Sequence, residues 1–163
     1  MRHGLRFYLE SSFWSRLVDR EDPTRRRASR RFLEWLRPRH FVLVSHLVQV
    51  ELWRTRDAEL RSQALRKYEN ASKRIVTSSS RVIEIAREII AAGAMTENHL
   101  ADAFHIAYSV VGRAEALVTW DVGQIARAHT RRIVDEYCWR LGIPAVRLGT
   151  PIEVGRWLDV KIE

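Results

Sequence analysis

The sequence places four acidic side chains where they could share one site. They are Glu10, Glu51, Asp102 and Asp121. Two of them follow short apolar runs that predict β-strands, and the carboxyl ends of parallel strands meet at one edge of a sheet, where α/β proteins bind ligands. Carboxylates packed this closely repel, so either some take up protons or a divalent cation neutralises them. Oxygen ligands favour Mg²⁺ or Mn²⁺ over Zn²⁺, and such an ion can activate a water for attack on phosphorus.

Each of these acids also has an ordinary structural interpretation. Glu10 could cap the helix that follows the first strand, and Glu51 could pair with Arg54 three residues further along a helix. Asp102 could form a surface hydrogen bond with His105, and the fourth acid could cap the turn after its strand. Taken singly, no acid is persuasive, so the metal-site prediction depends on all four converging.

The histidines beside Asp102 do not predict a zinc site. His99 and His105 are about 120° apart on a helical wheel, so one helix cannot direct both at one metal ion. We expect His105 to orient Asp102 or to contact a phosphate. The sequence also lacks a glycine-rich phosphate loop and a GxSxG nucleophile elbow, which argues against nucleotide kinases and serine hydrolases.

The stretch 96–121 predicts a helix and a short strand that position two of the acids. Thr96 suits the N-cap of this helix, and Gly112 suits its end. On the helical wheel one side is apolar and the opposite side is polar. The apolar stripe contains Leu100, Ala103, Phe104, Ala107 and Val111. The polar stripe contains Asp102, His105 and Ser109.

Strand-like and helical patterns alternate along the whole chain. The predicted strands are 5–9, 41–44, 74–77, 116–119 and 145–148. Thr24, Ser45 and either Ser79 or Ser80 are predicted N-caps of intervening helices. Further helical patterns cover 13–19, 56–70, 124–141 and 150–158. This alternation predicts a three-layer α/β/α fold with a central, mainly parallel sheet.

The composition is typical of a folded globular protein, with 163 residues of which 46% are apolar and 29% are charged. We expect one domain over residues 1–163. The single cysteine, Cys138, excludes an internal disulfide and a cluster of thiolate zinc ligands, so a reducing cytoplasm is the expected compartment. We expect no membrane association, because no run approaches the roughly 20 apolar residues of a membrane span.

The positive charge of the chain points to an acidic partner. The formal net charge is +8 at pH 7. Arginines are concentrated in the segments 25–31, 37–39, 54–56 and 61–67. Such a surface attracts a polyanion or an acidic protein, and at least part of it is expected to contact nucleic acid. Trp14, Trp53 and Trp120 are possible stacking surfaces for bases, although tryptophan is more often a core residue.

Five segments together resemble a known family. They are FYLESSF at 7–13, LVSHLVQVELWR at 43–54, ADAFHIAYSV at 101–110, ALVTWDVGQIAR at 116–127 and LGTPIEV at 148–154. In this order they resemble the PIN-domain ribonucleases, especially the VapC-like toxins of type II toxin–antitoxin modules. The match spans nearly the whole chain, and the combination of motifs is more specific than any one of them.

The resemblance implies a PIN-like fold and cleavage of RNA phosphodiester bonds by a metal-activated water. It implies that Mg²⁺ or Mn²⁺ binds at the four acids, which are then both metal ligands and catalytic residues. It also implies a homodimer and a cognate antitoxin as partners. Ser11, Ser12, His105 and Thr119 become candidates for orienting or substrate-contacting residues. Most PIN domains have Asp at the first acidic position, where this chain has Glu10.

Two other functions stay open at this point. The chain could be a non-catalytic PIN-like module that binds RNA or a protein, an alternative that the Asp-to-Glu departure permits. It could also be a nuclease directed at DNA, because metal chemistry on phosphodiesters does not itself require the 2′-hydroxyl.

Overall fold

Five parallel strands form the centre of the fold in the computed structural model, which describes residues 4–163. The strands are β1 (Arg6–Leu9), β2 (Phe41–Val44), β3 (Arg74–Ile75), β4 (Ala116–Val118) and β5 (Arg147–Gly149). The helices are α1 (Ser11–Arg16), α2 (Pro23–Leu36), α3 (His46–Trp53), α4 (Ala58–Asn70), α5 (Ser80–Ala91), α6 (Leu100–Val111), α7 (Ala128–Arg140) and α8 (Pro151–Trp157). The predicted three-layer α/β/α fold is confirmed, and every strand pair among the described residues is parallel.

The strand order β3-β2-β1-β4-β5 creates a switch point beside β1. Tyr8 of β1 lies opposite Leu43 on one side and Leu117 on the other. From β1 the chain first builds the sheet outward through β2 and β3, and then returns to add β4 and β5 on the opposite side. Such reversals leave a crevice at the carboxyl ends of the two central strands. Here those ends are the ends of β1 and β4.

The central strand is covered on both faces. Phe7, Tyr8 and Leu9 are all fully buried, although successive side chains of a strand point to opposite faces. On one face, Phe7 packs edge-on against Phe32 and Trp35 of α2, with ring centroids 5.7 Å apart in both pairs. This aromatic packing fixes α2 against the strand that carries the first acid at its end.

The N-caps of α2 and α3 differ from the sequence prediction. Asp22, and not Thr24, caps α2, because its Oδ1 accepts the Arg25 N–H at 3.0 Å and Pro23 occupies the first helical position, which needs no N–H donor. Ser45 is the N-cap residue of α3, but its hydroxyl makes no cap bond and instead contacts the Tyr8 hydroxyl at 2.7 Å. Ser79 caps α5 as one of the two predicted alternatives.

Both predicted sides of α6 contain fully buried residues. His105 and Ser109 of the polar stripe are fully buried, whereas Leu100, at the start of the apolar stripe, is 42% exposed. A helical wheel cannot distinguish a polar side that faces water from one that faces an internal polar site. The helix is also preceded by a separate 3₁₀ turn (Glu97–His99) whose N-cap residue, Thr96, makes no side-chain cap bond. Gly112 ends α6 as predicted.

No helix within residues 4–163 is long and apolar enough to cross a membrane.

Candidate active site

Glu10 and Glu51 form a close group with His105 at the carboxyl ends of β1 and β4, and Asp102 and Asp121 lie near it. One oxygen of Glu10, one oxygen of Glu51 and one ring nitrogen of His105 lie within 4.8 Å of one another. The Asp102 carboxylate interacts electrostatically with those of Asp121 and Glu10. Two of the acids follow the central strands, and the other two come from α3 and α6, so four separate segments of the chain build one acidic cluster.

Glu10 is held by three hydroxyl groups. Its Oε1 accepts the Ser11 hydroxyl at 2.6 Å, and its Oε2 accepts the hydroxyls of Ser12 at 2.5 Å and Thr119 at 2.7 Å. Oε1 also accepts the Ser12 backbone N–H at 3.1 Å, so Glu10 is the N-cap of α1 as well as a member of the cluster. The structural and the functional interpretation of this acid therefore both apply. The residue is only 5% exposed, and these hydrogen bonds fix its side chain in one orientation.

The same hydroxyls connect the end of β1 to the residues after β4. The Ser12 oxygen accepts the backbone N–H of Trp120 at 2.8 Å, and the Thr119 oxygen accepts that of Asp121 at 2.9 Å. Each hydroxyl thus receives a hydrogen bond from the β4 side and donates one to Glu10. These two bridges explain how the first and fourth acids are held in register across the switch point.

Glu51 is positioned by a buried chain of polar groups. His105 Nε2 hydrogen-bonds Glu51 Oε1, and His105 Nδ1 lies 2.9 Å from the Tyr8 hydroxyl, which contacts Ser45. Ser11 also donates to Glu51 Oε1 at 3.1 Å. Tyr8 and Ser45 were not predicted from the sequence as parts of the site. The available signal was a tyrosine inside a strand buried on both faces, since a buried hydroxyl needs a partner.

The pairing of His105 corrects the sequence prediction. His105 does not hydrogen-bond Asp102; its partner on that side of the ring is Glu51, and His99 Nδ1 instead lies 3.3 Å from Asp102 Oδ2. Burial alone would lower the pKa of His105, but the hydrogen bond to Glu51 and the negative charge of Glu10 raise it. Burial correspondingly acts to raise the pKa of Glu51, but the hydrogen bonds from His105 and Ser11 and the positive charges of His105 and Arg54 together lower that pKa.

Asp102 carries negative charge that the protein does not compensate. Burial, the Asp121 carboxylate and the Glu10 carboxylate raise its pKa to about 6, against the opposing effects of His105 and His99. A carboxylate with a raised pKa beside other carboxylates favours either a proton or a cation. The oxygen-rich donor set therefore fits a hard divalent cation such as Mg²⁺ or Mn²⁺.

Asp121 shapes the loop that follows β4. Its Oδ1 accepts the backbone N–H groups of Gly123 at 3.1 Å and Gln124 at 2.9 Å. Within residues 4–163 its Oδ2 accepts no hydrogen bond, so this oxygen is available to a ligand. The turn also explains why the helix predicted from residue 124 begins only at Ala128.

An open depression of about 410 Å³ lies over the cluster. Its lining includes the acids Glu51 and Asp121 and the arginines Arg16 and Arg25. The serine and tryptophan residues in the lining are Ser11, Ser12, Ser15 and Trp120. The depression therefore exposes carboxylates, hydroxyls and guanidinium groups side by side, which is a suitable surface for a metal ion and a phosphate group together.

The three tryptophans considered as stacking surfaces differ in exposure. Trp14 is fully buried and its Nε1 donates to the Leu9 carbonyl at 3.2 Å, so it is a core residue. Trp120 is 8% exposed and lies under the Arg25 guanidinium, whereas Trp53 is 59% exposed. Trp53 is two residues from Glu51 on α3, which places it about 200° around the helix from this acid.

A parallel α/β sheet with acidic residues at its switch point is typical of three-layer α/β domains that bind a ligand there. The model of the PIN domain family matches residues 7–130, and the chain belongs to this family. The match contains all four acids and confirms the family predicted from the sequence motifs. A search of curated protein sequences finds no significant match.

Two solved structures share the fold. The crystal structure of VapC20 from Mycobacterium tuberculosis, a Sarcin-Ricin loop cleaving toxin, is 19% identical with a TM-score of 0.58, and the match covers 74% of this chain and 93% of that chain. The crystal structure of VapBC2 from Rickettsia felis, bound to a DNA fragment from their promoter, is 16% identical with a TM-score of 0.57. That match covers 88% of this chain and 97% of the other.

Proposed function

We propose that this protein is a metal-dependent endoribonuclease that hydrolyses RNA phosphodiester bonds. The observation that carries the proposal is the close group of Glu10, Glu51 and His105 at one edge of the sheet, with Asp102 and Asp121 near enough to interact electrostatically. Membership in the PIN domain family supports a nuclease, and the description of VapC20 as a Sarcin-Ricin loop cleaving toxin supports RNA as the substrate.

The proposed ligands of Mg²⁺ or Mn²⁺ are the carboxylates of Glu10, Glu51, Asp102 and Asp121. When bound, the ion activates water as the nucleophile and stabilises the oxygen that leaves phosphorus. The raised pKa of Asp102 and the available Oδ2 of Asp121 support these two acids as the ones that a bound cation would stabilise most.

The protein's own contribution is to fix the acids before the substrate arrives. Ser11, Ser12 and Thr119 hold both oxygens of Glu10, and His105 holds Glu51. His105 is fully buried and already bonded at both ring nitrogens, which favours an orienting role over contact with a phosphate. Preorganised carboxylates need little rearrangement during the reaction, and this is a main source of catalysis in phosphoryl transfer.

The proposed biological role is that of a toxin controlled by a cognate antitoxin. The VapBC2 structure, described as bound to a promoter fragment, supports a protein partner of this kind. A homodimer and a cytoplasmic location, where RNA substrates occur, belong to the same proposal. The chain's net charge of +8 is consistent with an RNA substrate or an acidic partner segment.

Cleavage assays with isosteric acid variants test the proposed activity. We expect the wild type to cleave RNA with Mg²⁺ or Mn²⁺ and to lose cleavage in EDTA. Asp102→Asn and Asp121→Asn should lower the rate by at least about 100-fold, because each removes a proposed metal ligand. Asp159→Asn is the matched control, since Asp159 is exposed and its φ of 55° is one that Asn also adopts. Equal cleavage by the wild type and both site variants would refute the proposed site.

A non-catalytic PIN-like module that binds RNA or a protein is the second candidate. The four hydrogen bonds to Glu10 favour it, because a carboxylate offers about four lone-pair sites and a metal must displace or share one of these donors. RNA binding that is unaffected by EDTA, with no cleavage of RNA under any metal condition, would support this alternative. Matched RNA and DNA substrates in the same assay would separate a ribonuclease from a DNA-directed nuclease.

A further inference from the structure

One wall of the depression over the acidic cluster is basic. Arg25, at the start of α2, and Arg16, at the end of α1, line the same depression as Glu51 and Asp121. The other arginines within residues 4–163 are not among the residues that line this depression. These two stand beside the proposed reaction centre and can make direct contact with a bound phosphodiester.

Arg25 is held in place by an aromatic ring and an acid. Its guanidinium carbon lies 5.3 Å from the ring centroid of Trp120, and its Nε lies 3.4 Å from Asp22 Oδ2. Trp120 is itself fixed, because its Nε1 donates to Ser29 at 2.8 Å and its side chain is almost fully buried. A cation above a rigid ring is restricted in position, so little side-chain entropy remains to be lost when a ligand binds.

The contacts of Arg25 leave its terminal nitrogens available. Within residues 4–163 these two nitrogens donate no hydrogen bond, since the pair with Asp22 uses Nε. A planar guanidinium whose two terminal nitrogens are free matches the geometry of phosphate oxygens, which accept paired hydrogen bonds. Trp120 directly precedes Asp121, and Arg25 and Asp121 both line the depression.

We propose that Arg25 binds a backbone phosphate of the RNA, next to the phosphate attacked at the acidic cluster. This inference rests on the proposed function and adds a direction to it, because the strand must then run from the acids over Trp120 toward the start of α2. It also assigns the covered face of Trp120 to supporting an arginine, so that this face does not stack on a base.

Arg16 contributes a second cation but is the weaker probe of the proposal. It pairs with Asp19, whose other oxygen accepts the Glu21 backbone N–H at 2.9 Å. Removing Arg16 would leave the buried Asp19 without its ion-pair partner and would disturb the chain after α1. Arg25 can be truncated without leaving a buried charge, since its acidic partner Asp22 still caps α2.

The test compares Arg25→Ala with Arg27→Ala. Arg27 is exposed on the same helix, about 200° around it from Arg25, and lies outside the residues that line the depression. The two variants therefore lose the same charge from nearly the same place. Binding of a short fluorescent single-stranded RNA of mixed sequence is measured in EDTA, where no metal-dependent cleavage occurs, from about 50 to about 200 mM salt.

We expect Arg25→Ala to weaken RNA binding about tenfold, because it removes a charge-assisted contact. The slope of the logarithm of its RNA affinity against the logarithm of the salt concentration should become shallower by about 0.7, the value for one lost phosphate contact on a single strand. Arg27→Ala should change affinity by less than about twofold, since it removes only a screened surface charge. Arg25→Lys keeps the charge without the planar fork and should restore only part of the affinity. Equal losses for Arg25→Ala and Arg27→Ala would overturn the proposal.

Cleavage measured on the same proteins separates this inference from the proposed function. If the wild type binds RNA and never cleaves it, the nuclease proposal fails, while the comparison of the two arginine variants still decides the role of Arg25. If the wild type cleaves and Arg25→Ala binds and cleaves as well as Arg27→Ala, the nuclease proposal stands and the assignment of Arg25 is wrong.

Discussion

At the scale of single residues, Glu51 depends most on partners that lie far away in the sequence. Its orientation is fixed by His105, which is fixed by Tyr8, which in turn contacts Ser45. These four residues come from four elements or their ends, and three of them are fully buried. A metal ligand held by such a chain loses affinity when a distant member of the chain is removed, even though that member does not touch the ion.

Tyr8→Phe tests this chain, because it removes one hydroxyl and preserves the ring. We expect the affinity for Mn²⁺ to fall by about tenfold. The free energy of unfolding should decrease by about 1–3 kcal/mol, since His105 and Ser45 lose a buried partner. Titration with Mn²⁺ and urea denaturation measure the two effects separately.

Tyr68→Phe is the matched control for this experiment. The Tyr68 hydroxyl is buried and has no hydrogen-bond partner within residues 4–163. Removing it should leave the Mn²⁺ affinity unchanged and keep or increase stability, because a buried unsatisfied hydroxyl is destabilising. A Tyr8→Phe protein that binds Mn²⁺ as tightly as the Tyr68→Phe protein would contradict the proposed chain.

Asp102 should make the metal-free protein sensitive to pH. Its pKa is raised to about 6 in the folded state, so its proton stabilises the fold below the unfolded pKa, and this contribution is lost as the pH rises through about 6. One pKa unit corresponds to about 1.4 kcal/mol. In EDTA at about pH 8, Asp102→Asn should therefore be more stable than the wild type by up to about 3 kcal/mol.

Urea denaturation between about pH 4 and about pH 8 measures this effect. The stability difference between Asp102→Asn and the wild type should grow as the pH rises. Asp159→Asn, at an exposed position, should show no such trend. A stability difference that does not change with pH would show that the pKa of Asp102 is not raised in the folded protein. The same would follow if the wild type gained stability relative to Asp102→Asn as the pH rises.

The sequence was sufficient to predict the acids and four of the side chains that contact them, Ser11, Ser12, His105 and Thr119. It was not sufficient to predict which acid His105 contacts or that Tyr8 and Ser45 support it. Acids after strands are visible as single residues beside apolar runs, and Glu10 and Asp121 were found in this way. The partners of Glu51 are separated from it by up to 54 residues, and a lone sequence contains no signal that joins Glu51 to His105. His105 was assigned to Asp102 because the helical wheel records only neighbours on the same helix.

At the scale of elements, the strands were predicted because parallel strands buried on both faces read as continuous apolar runs. The second strand matches its predicted range, 41–44, and the others match to within a few residues. The sequence predicted a mainly parallel sheet from the alternation of strands and helices. It did not predict the order β3-β2-β1-β4-β5, because the order depends on long-range pairing that the local pattern does not encode.

Local backbone chemistry sets the ends of two helices, including the one predicted to end at residue 141. Gly93 and Gly142 end their helices with φ of 87° and 64°, values at which glycine avoids the steric cost of a side chain. The predicted start at residue 124 was wrong, since Asp121 binds two following N–H groups and holds that segment in a turn. Local side-chain contacts of a site residue thus override helix propensity there.

At the scale of the whole molecule, a compact acidic site lies in a strongly basic protein. The chain has 28 lysines and arginines against 20 aspartates and glutamates. The basic surface attracts a polyanion over long distances, whereas the acids would repel it at the point of contact. The proposed divalent cation would resolve this conflict, because it would neutralise the carboxylates and attract the phosphate.

The location of bound Mn²⁺ tests directly whether a divalent cation binds at the acidic cluster. Anomalous diffraction from a crystal soaked in MnCl₂ would place the ion without reference to any substrate. We expect Mn²⁺ at the carboxyl ends of β1 and β4, coordinated by oxygens from Asp102 and Asp121 and at least one of Glu10 and Glu51. A crystal with no Mn²⁺ at this cluster, or with Mn²⁺ bound only elsewhere on the protein, would contradict it.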